Sequence, residues 1–500
     1  MVYEVKREGQ NIFNIITGIS IVFLIKRKTK SKCRIFYSSV DNGLTKKEKL
    51  DILNNVQDIS SSRIAWRIIE PNQYGDWLDF RNDLFNSYIP LRDDCKNGKS
   101  FFVISPPAVV TGRDFWVYNF SKIHLEKNMS RMIDFYNNQC VAYSKLPNCK
   151  ISVEDFIETD MTKISWTRSL RNAVKKKKTF VYSPTNIRIS TYRPFQKEFL
   201  YFSQDFNEAY GKNINLFPYT SVNNKVICVS GIGGNDIAVQ ITNEITDFAF
   251  VKTGNGGTQC FPLYWYEENN AKITDLFYQE NSEITNKYIR KDGISDWILN
   301  IIHKQYGYKV TKEDIFYYVY GLLHSSEYRT MFATDLKKSL PRLPLVEKVD
   351  DFWGFSKAGH ELANLHLNYE TVEPYRKCQV IYAPLTNKGE SINYHVEKMR
   401  FGKIDSKTVD KSIIYYNKAI TIEDIPAEAY EYVVNGKSAI EWIMERYAIT
   451  TDKKSGIIND PNDWAREHND EKYIFNLLLR IINVSVQTVK IVKGLPKLKF

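Results

Sequence analysis

A few short patterns in the 500-residue sequence hold residue types that could do chemistry. Ser105-Pro106-Pro107-Ala108 has a layout that can hold an extruded base for methyl transfer. In that chemistry a polar side chain and a prolyl carbonyl grip the target amine while an aromatic ring stacks on the base. Alanine stands where the ring is needed and offers no π-face, so the pattern reads as a loop. His360-Glu361 and His366 are metal-ligand types, but their spacing is not that of H-E-x-x-H and takes the histidines off a common helical face. Gly231-Ile232-Gly233-Gly234 and Gly254-Asn255-Gly256-Gly257 lack the G-x-G-x-x-G spacing and any Walker lysine. Both read as turns, the second a loop of the kind where DNA contacts often sit. Triplets such as Glu4-Val5-Lys6 and Asp335-Leu336-Lys337 have no upstream paired carboxylate with which to hold Mg²⁺.

Cations beside aromatics or at element ends point to another chemistry, the neutralisation of phosphates. They are Lys175 to Lys178, the Tyr192-Arg193-Pro194-Phe195 turn, Lys337, Lys338 and Arg342, and Lys490 with Lys493. Arg193, Lys337, Lys338 and Arg342 are the expected DNA-binding residues, because they occupy turns or helix ends. No catalytic, cofactor-binding or metal residue is expected in this chain. The 69 Lys and Arg against 58 Asp and Glu give +11, which favours a polyanionic partner. The 14% aromatic content suits a β-rich core and equally a base-stacking surface. Seven cysteines without a CxxC pair fit a reducing cytoplasm. The start has no signal-peptide design and the apolar run Gly18 to Ile25 is too short to span a bilayer, so no membrane is expected.

The elements that must position these residues change character along the chain. Ile19 to Ile25 and Cys33 to Tyr37 read as a strand pair, the first apolar at nearly every position as in a strand buried on both faces. Lys46 to Asn54 reads as a short helix, with a domain boundary near residue 61. Short strands follow, among them Ile187 to Tyr192, Lys225 to Val229 and Phe248 to Val251. His124 to Gln139 is a helix with Leu125, Met129, Met132, Ile133 and Tyr136 on one stripe. Thr311 and Asp314 resemble a capping box, and a second helix is expected from Glu327 to Ser339. After about Val346 come strands (Gln379 to Ala383, Ser412 to Tyr416) and an amphipathic helix carrying Ile440, Ile443, Met444 and Tyr447. A helical pair, Tyr473 to Ile482 and Ser485 to Val492, closes the chain.

Several longer blocks resemble the C-terminal half of Type ISP restriction-modification enzymes. They include Arg7-Glu8-Gly9-Gln10-Asn11-Ile12-Phe13, Thr17-Gly18-Ile19, Thr111-Gly112-Arg113-Asp114, Tyr192-Arg193-Pro194-Phe195 and Gln259-Cys260-Phe261-Pro262-Leu263-Tyr264. Further on stand Tyr320-Gly321-Leu322-Leu323-His324-Ser325, Pro341-Arg342-Leu343-Pro344, Val434 to Trp442, and Asn459-Asp460-Pro461-Asn462. The resemblance spans nearly the whole chain. It implies an α+β fold: residues 1–60 as a short remnant of a doubly wound adenine-N6 methyltransferase sheet, then a mixed target-recognition domain, 61–345 and 346–500. The implied role is DNA recognition for a bacterial restriction-modification system, with double-stranded DNA as partner. Methyltransferase, motor and nuclease functions would lie upstream or on a partner polypeptide, with S-adenosylmethionine, ATP and Mg expected there and no cofactor in this chain. Rival readings are a standalone methyltransferase or nuclease, and a decayed DNA-binding remnant.

Overall fold

The computed structural model describes residues 10–13, 19–26, 33–78, 80–92, 97–146, 151–233, 236–251, 256–269, 287–384, 391–405 and 408–500. Arg7 to Gly9, Thr17-Gly18, Gly234 and Gly254-Asn255 therefore lie outside the described residues. The chain divides into two compact units, Met1–Asn86 and Ser87–Phe500.

The first unit pairs β1 (Ile35–Tyr37) antiparallel with β2 (Arg67–Ile69). The expected partnership of Cys33 to Tyr37 with Ile19 to Ile25 is thus replaced. Ile19 to Ile25 form no strand, and Leu24 is 88% exposed. An apolar run becomes a buried strand only where neighbouring strands take up its backbone groups, and none does so here among the described residues. Helix α1 (Lys46–Val56) starts with a Thr45–Glu48 capping box yet buries no residue. Only Ile69, Asp76 and Phe85 of this unit's described residues are buried.

The second unit holds one contiguous apolar core running from Ala108 to Val489. Into it α2 (Lys122–Ser144) inserts Leu125, Met129, Met132, Ile133, Tyr136 and Cys140, the expected stripe extended by one turn. A four-stranded sheet has the order β4-β6-β5-β9, formed by β4 (Tyr118–Asn119), β5 (Ile187–Arg193), β6 (Gln196–Tyr201) and β9 (Ile245–Thr246); β3 is Ile89–Pro90. Beside it in the chain, β10 (Thr258–Pro262), β7 (Val226–Ser230) and β8 (Val239–Thr242) form a three-stranded antiparallel sheet. Phe248 to Val251, expected as a strand, is a turn, because Asp247 caps it by accepting the Ala249 N–H. An antiparallel ribbon joins β11 (Tyr264–Glu268) to β12 (Tyr288–Asp292).

Helix α4 (Lys312–Leu323) begins with the expected Thr311–Asp314 capping box. The helix expected over Glu327 to Ser339 is two: α5 (Ser326–Met331) and α6 (Ala333–Lys338), broken where Phe332 turns to φ −108°, ψ 23°. Residue Leu343 of β13 (Arg342–Leu343) pairs with Ile89. The remaining large sheet, β14 (Gln379–Tyr382), β17 (Ile420–Glu423), β16 (Val409–Tyr415) and β15 (Arg400–Lys403), is antiparallel in that order.

The block Val434 to Trp442 folds for local reasons. Asn435 and Gly436, both at positive φ, make the two-residue turn between β18 (Val433–Val434) and β19 (Lys437–Ser438). Ser438 then caps α7 (Ala439–Arg446) in a capping box with Glu441, and the Trp442 indole donates to the Val434 carbonyl at 2.8 Å. Ser438→Ala is expected to cost about 1 kcal/mol, read as a shifted denaturation midpoint. The final two helices are α8 (Pro461–Glu467) and α9 (Tyr473–Lys493). The expected break near Asn483 is absent, since Ile481, Ile482, Val484 and Ser485 are all buried on an unbroken helix. By length and composition α9 could cross a membrane, but 61% of that stretch is buried inside the core.

Candidate nucleic-acid interface

Three of the four cations expected to touch DNA come together. Lys337 and Lys338 end α6, whose six residues are positioned by the buried Asp335 and Leu336. Arg342 follows on β13, where the Tyr328 hydroxyl donates to its carbonyl at 2.8 Å and its own guanidinium donates to the Tyr88 carbonyl at 3.0 Å. Lys337 Nζ lies 3.4 Å from Asp236 Oδ1, whose side chain is 88% exposed, so the β7–β8 loop is tied to the end of α6 by a surface ion pair. Such a pair contributes little stability and is readily exchanged for another anion.

The glycines of that loop have a structural task. A Cβ on Gly231 would lie 2.0 Å from the Gly256 carbonyl oxygen, and one on Gly256 would lie 2.1 Å from that of Ile232. Gly231 N–H also donates to the Gly257 carbonyl at 2.7 Å. Two loops are packed backbone to backbone, so the missing side chains serve loop-on-loop contact. A cradle for a nucleotide would need that space open.

Arg193 is elsewhere and differently employed. It is only 7% exposed, and its Nη1 donates to Asp247 Oδ1 and to the Tyr192 carbonyl, both at 2.6 Å. Its Nη2 lies 3.7 Å from Asp114, and the guanidinium sits 3.8 Å from the Tyr192 ring centre. Burial alone would lower its pKa, but the facing Asp247 carboxylate carries it above the ordinary arginine value. Arg193, expected to touch DNA, is placed here as a buried cation, because the turn that carries it faces inward. Pro194 and Phe195 make that turn, with Phe195 at φ 60° and buried edge-on against Tyr369 and Tyr432.

Around Arg193 lies a polar network that the sequence reading missed. Tyr192 hydroxyl donates to Asp114 at 3.0 Å, and Thr111 hydroxyl donates to the same carboxylate. The neighbouring Arg113 donates to the Phe206 carbonyl at 3.0 Å and lies 3.6 Å from Glu208. Its burial lowers its pKa to about 10 against the pull of Glu208. Glu198 is fully buried, accepting from Gln196 Nε2 at 2.6 Å and from Asn459 Nδ2 at 3.0 Å. Burial pushes its carboxyl up to about 8. The available signal was alternation: Gln196, Glu198 and Leu200 share one face of a strand, and Leu200 belongs inside.

The other candidate patterns are occupied by structure. The Pro106 carbonyl accepts the Cys260 N–H at 2.9 Å and the Pro107 carbonyl accepts Asn213 Nδ2 at 3.1 Å, while Ala108 is buried. The segment runs along β10, so neither carbonyl is turned toward a ligand. His366 Nδ1 shares a hydrogen bond with the Tyr320 hydroxyl at 2.6 Å and its Nε2 one with Thr488 Oγ1 at 2.9 Å, whereas His360 packs against the Tyr317 ring. Among the described residues no cluster of His, Cys, Asp and Glu is arranged to hold a metal ion.

None of the curated proteins matches the chain. Solved structures do: a nuclease-deletion mutant of the Type ISP restriction-modification enzyme LlaGI in complex with a DNA substrate mimic is 34% identical, with a TM-score of 0.83 over 98% of this chain and 42% of its own. The ATP-dependent Type ISP enzyme LlaBIII bound to DNA is 34% identical, with a TM-score of 0.85 over 99% of this chain and 30% of its own. A DrdV–DNA complex is 28% identical, with a TM-score of 0.79 over all of this chain and 46% of its own. The chain thus spans less than half the length of each of these relatives. The model of the Type ISP C-terminal specificity domain matches residues 100–477, most of the second unit, and the chain belongs to that family.

Proposed function

We propose that this chain recognises a DNA sequence for a restriction-modification system, acting as the specificity region of an adenine-N6 methyltransferase and restriction enzyme in the cytoplasm. The observation that carries this reading is the likeness of nearly the entire chain to three enzymes solved with DNA. The role is to hold duplex in register through phosphates and to read base edges, while chemistry belongs to methyltransferase, motor and nuclease parts elsewhere. S-adenosylmethionine, ATP and Mg would serve those parts. The exposed apolar run Ile19 to Ile25 supports a methyltransferase sheet as its cover.

Lys337, Lys338 and Arg342 are the proposed phosphate contacts, with Lys337 exchanging Asp236 for a phosphate. Duplex binding should weaken steeply with salt, by about 0.9 in log K per log unit of salt for each contact. Replacing the two lysines with alanine is expected to reduce that slope by roughly 1.8, two contacts' worth. Fluorescence anisotropy over a salt series measures it, with a melting curve to confirm folding. An unchanged slope would remove these lysines from the interface.

A further inference from the structure

We infer that the C-terminal end of α3, together with its exposed stripe, is a second phosphate-contacting surface for duplex DNA; α3, Arg168–Lys175, belongs to the second unit and follows α2 in the chain. The inference rests on the DNA reading proposed above and adds a surface that this reading does not include.

Residues 168–178 contain Arg168, Arg171, Lys175, Lys176, Lys177 and Lys178 and no acidic residue. A solvated helix end is the ordinary use of such residues, and cations there do complement the negative end of the helix dipole. The structure divides them into two sets. Lys175 pairs with Glu154 at 3.0 Å, and Lys178 pairs with Asp205 at 2.5 Å while also lying over the Phe180 ring. Each of these two lysines thus already faces a carboxylate of this chain. Arg168, Lys176 and Lys177 are exposed and have no side-chain partner among the described residues.

Backbone geometry makes the inner pair unusual. Lys177 N–H donates to the Val174 carbonyl at 2.9 Å and Lys178 N–H to the Ala173 carbonyl at 3.0 Å. That double bond pattern is a Schellman cap, and it places Lys177 at the left-handed position, with φ 57°. Glycine is the usual occupant because a Cβ there is strained. A long cation has been put where the fold alone would favour glycine, and strain of this kind is a pointer to function when a separate observation agrees. The separate observation is the stripe: Arg168, Asn172 and Lys176 follow at i, i+4, i+8 and are all exposed. Eight residues of helix span about 12 Å, enough to meet more than one phosphate of a strand. Two unpaired cations on one helical stripe, Arg168 and Lys176, with Lys177 beside them at the cap, fit the duplex backbone.

The test uses the full chain, a labelled random-sequence duplex and a salt series. The variants are Lys177→Gly alone and the triple Arg168→Gln, Lys176→Gln, Lys177→Gly. Lys177→Gly should hold or raise the melting temperature while lowering the salt slope by about 0.9, and the triple variant should lower it by about 2.7. Lys176→Arg should leave the slope unaltered. If the unaltered chain binds duplex with strong salt dependence and the triple variant keeps the same slope, the patch belongs to solvent or to another acidic partner and the inference falls alone. If the unaltered chain does not bind duplex, the proposed function falls and this inference with it.

Discussion

Replacing Arg193 with methionine is expected to cost about 3–5 kcal/mol, the usual penalty for stripping one member from a buried ion pair. Asp247 is 3% exposed, and after the substitution it keeps the Ala249 N–H at 2.8 Å but loses the guanidinium. The Tyr192 carbonyl loses a donor at the same time. Adding Asp247→Asn removes the stranded charge and retains the N–H acceptor, so the double variant should recover much of the loss. Chemical denaturation followed by tryptophan fluorescence reads both effects. Duplex affinity of the folded single variant should be retained, because the guanidinium is directed inward. A stability within about 0.5 kcal/mol of the unaltered chain, as for an ordinary surface substitution, would return Arg193 to the surface and to direct DNA contact.

Glutamine in place of Glu198 is expected to flatten the fall in stability as pH rises toward 8. Burial holds the Glu198 carboxyl at about 8, against the opposing help that Asn459 and Arg193 give its ionised form. Asp114 raises it further and Arg446 lowers it. In the unfolded chain a glutamate ionises near ~4.3. Between those values the folded chain keeps a proton that the unfolded chain has released, so stability drops with rising pH across this window and levels off above it. At ~1.36 kcal/mol per pKa unit the drop is on the order of 5 kcal/mol. The glutamine amide stays neutral throughout. It also needs an acceptor on the Gln196 side, and a half-turn of the Gln196 amide supplies one, since Gln196 Oε1 is buried without a hydrogen-bond partner. Denaturation midpoints of both chains at stepped pH should converge at low pH and separate toward pH 8, with the variant higher. Parallel curves across the window would show that Glu198 is ionised in the folded chain.

Recognition of the family did not need the fold, because the blocks that carry the resemblance are linear. The tertiary structure adds what several of those blocks do. Asn459 accepts the Phe120 N–H at 2.9 Å and donates to Glu198, while Asn462 exchanges hydrogen bonds with the Val396 backbone in both directions. Tyr192 and Asp114, from two further blocks, are joined directly. These residues are junctions between remote segments. Only Lys337, Lys338 and Arg342 of the four cations chosen from sequence stand together, since adjacency in the chain keeps them close whatever the fold.

The sequence by itself determined what depends on neighbours within a few residues. Caps at Thr311 and Ser438, the stripe of α2 and the amphipathic face of α7 follow from side-chain reach and the 3.6-residue period, which act before any long-range contact exists. Tertiary structure decided whatever requires two distant segments to meet. An apolar run cannot say whether a partner strand will cover it, and Ile19 to Ile25 pairs with none among the described residues. A lone arginine in a turn reads as exposed until the fold turns it inward. Arg193 finds its carboxylate 54 positions along the chain and Glu198 its amide 261 positions along, and neither pairing has any local signature. Burial then converts these groups from solvated charges into fixed structural partners, because a charge removed from water is tolerated only where another group replaces the water.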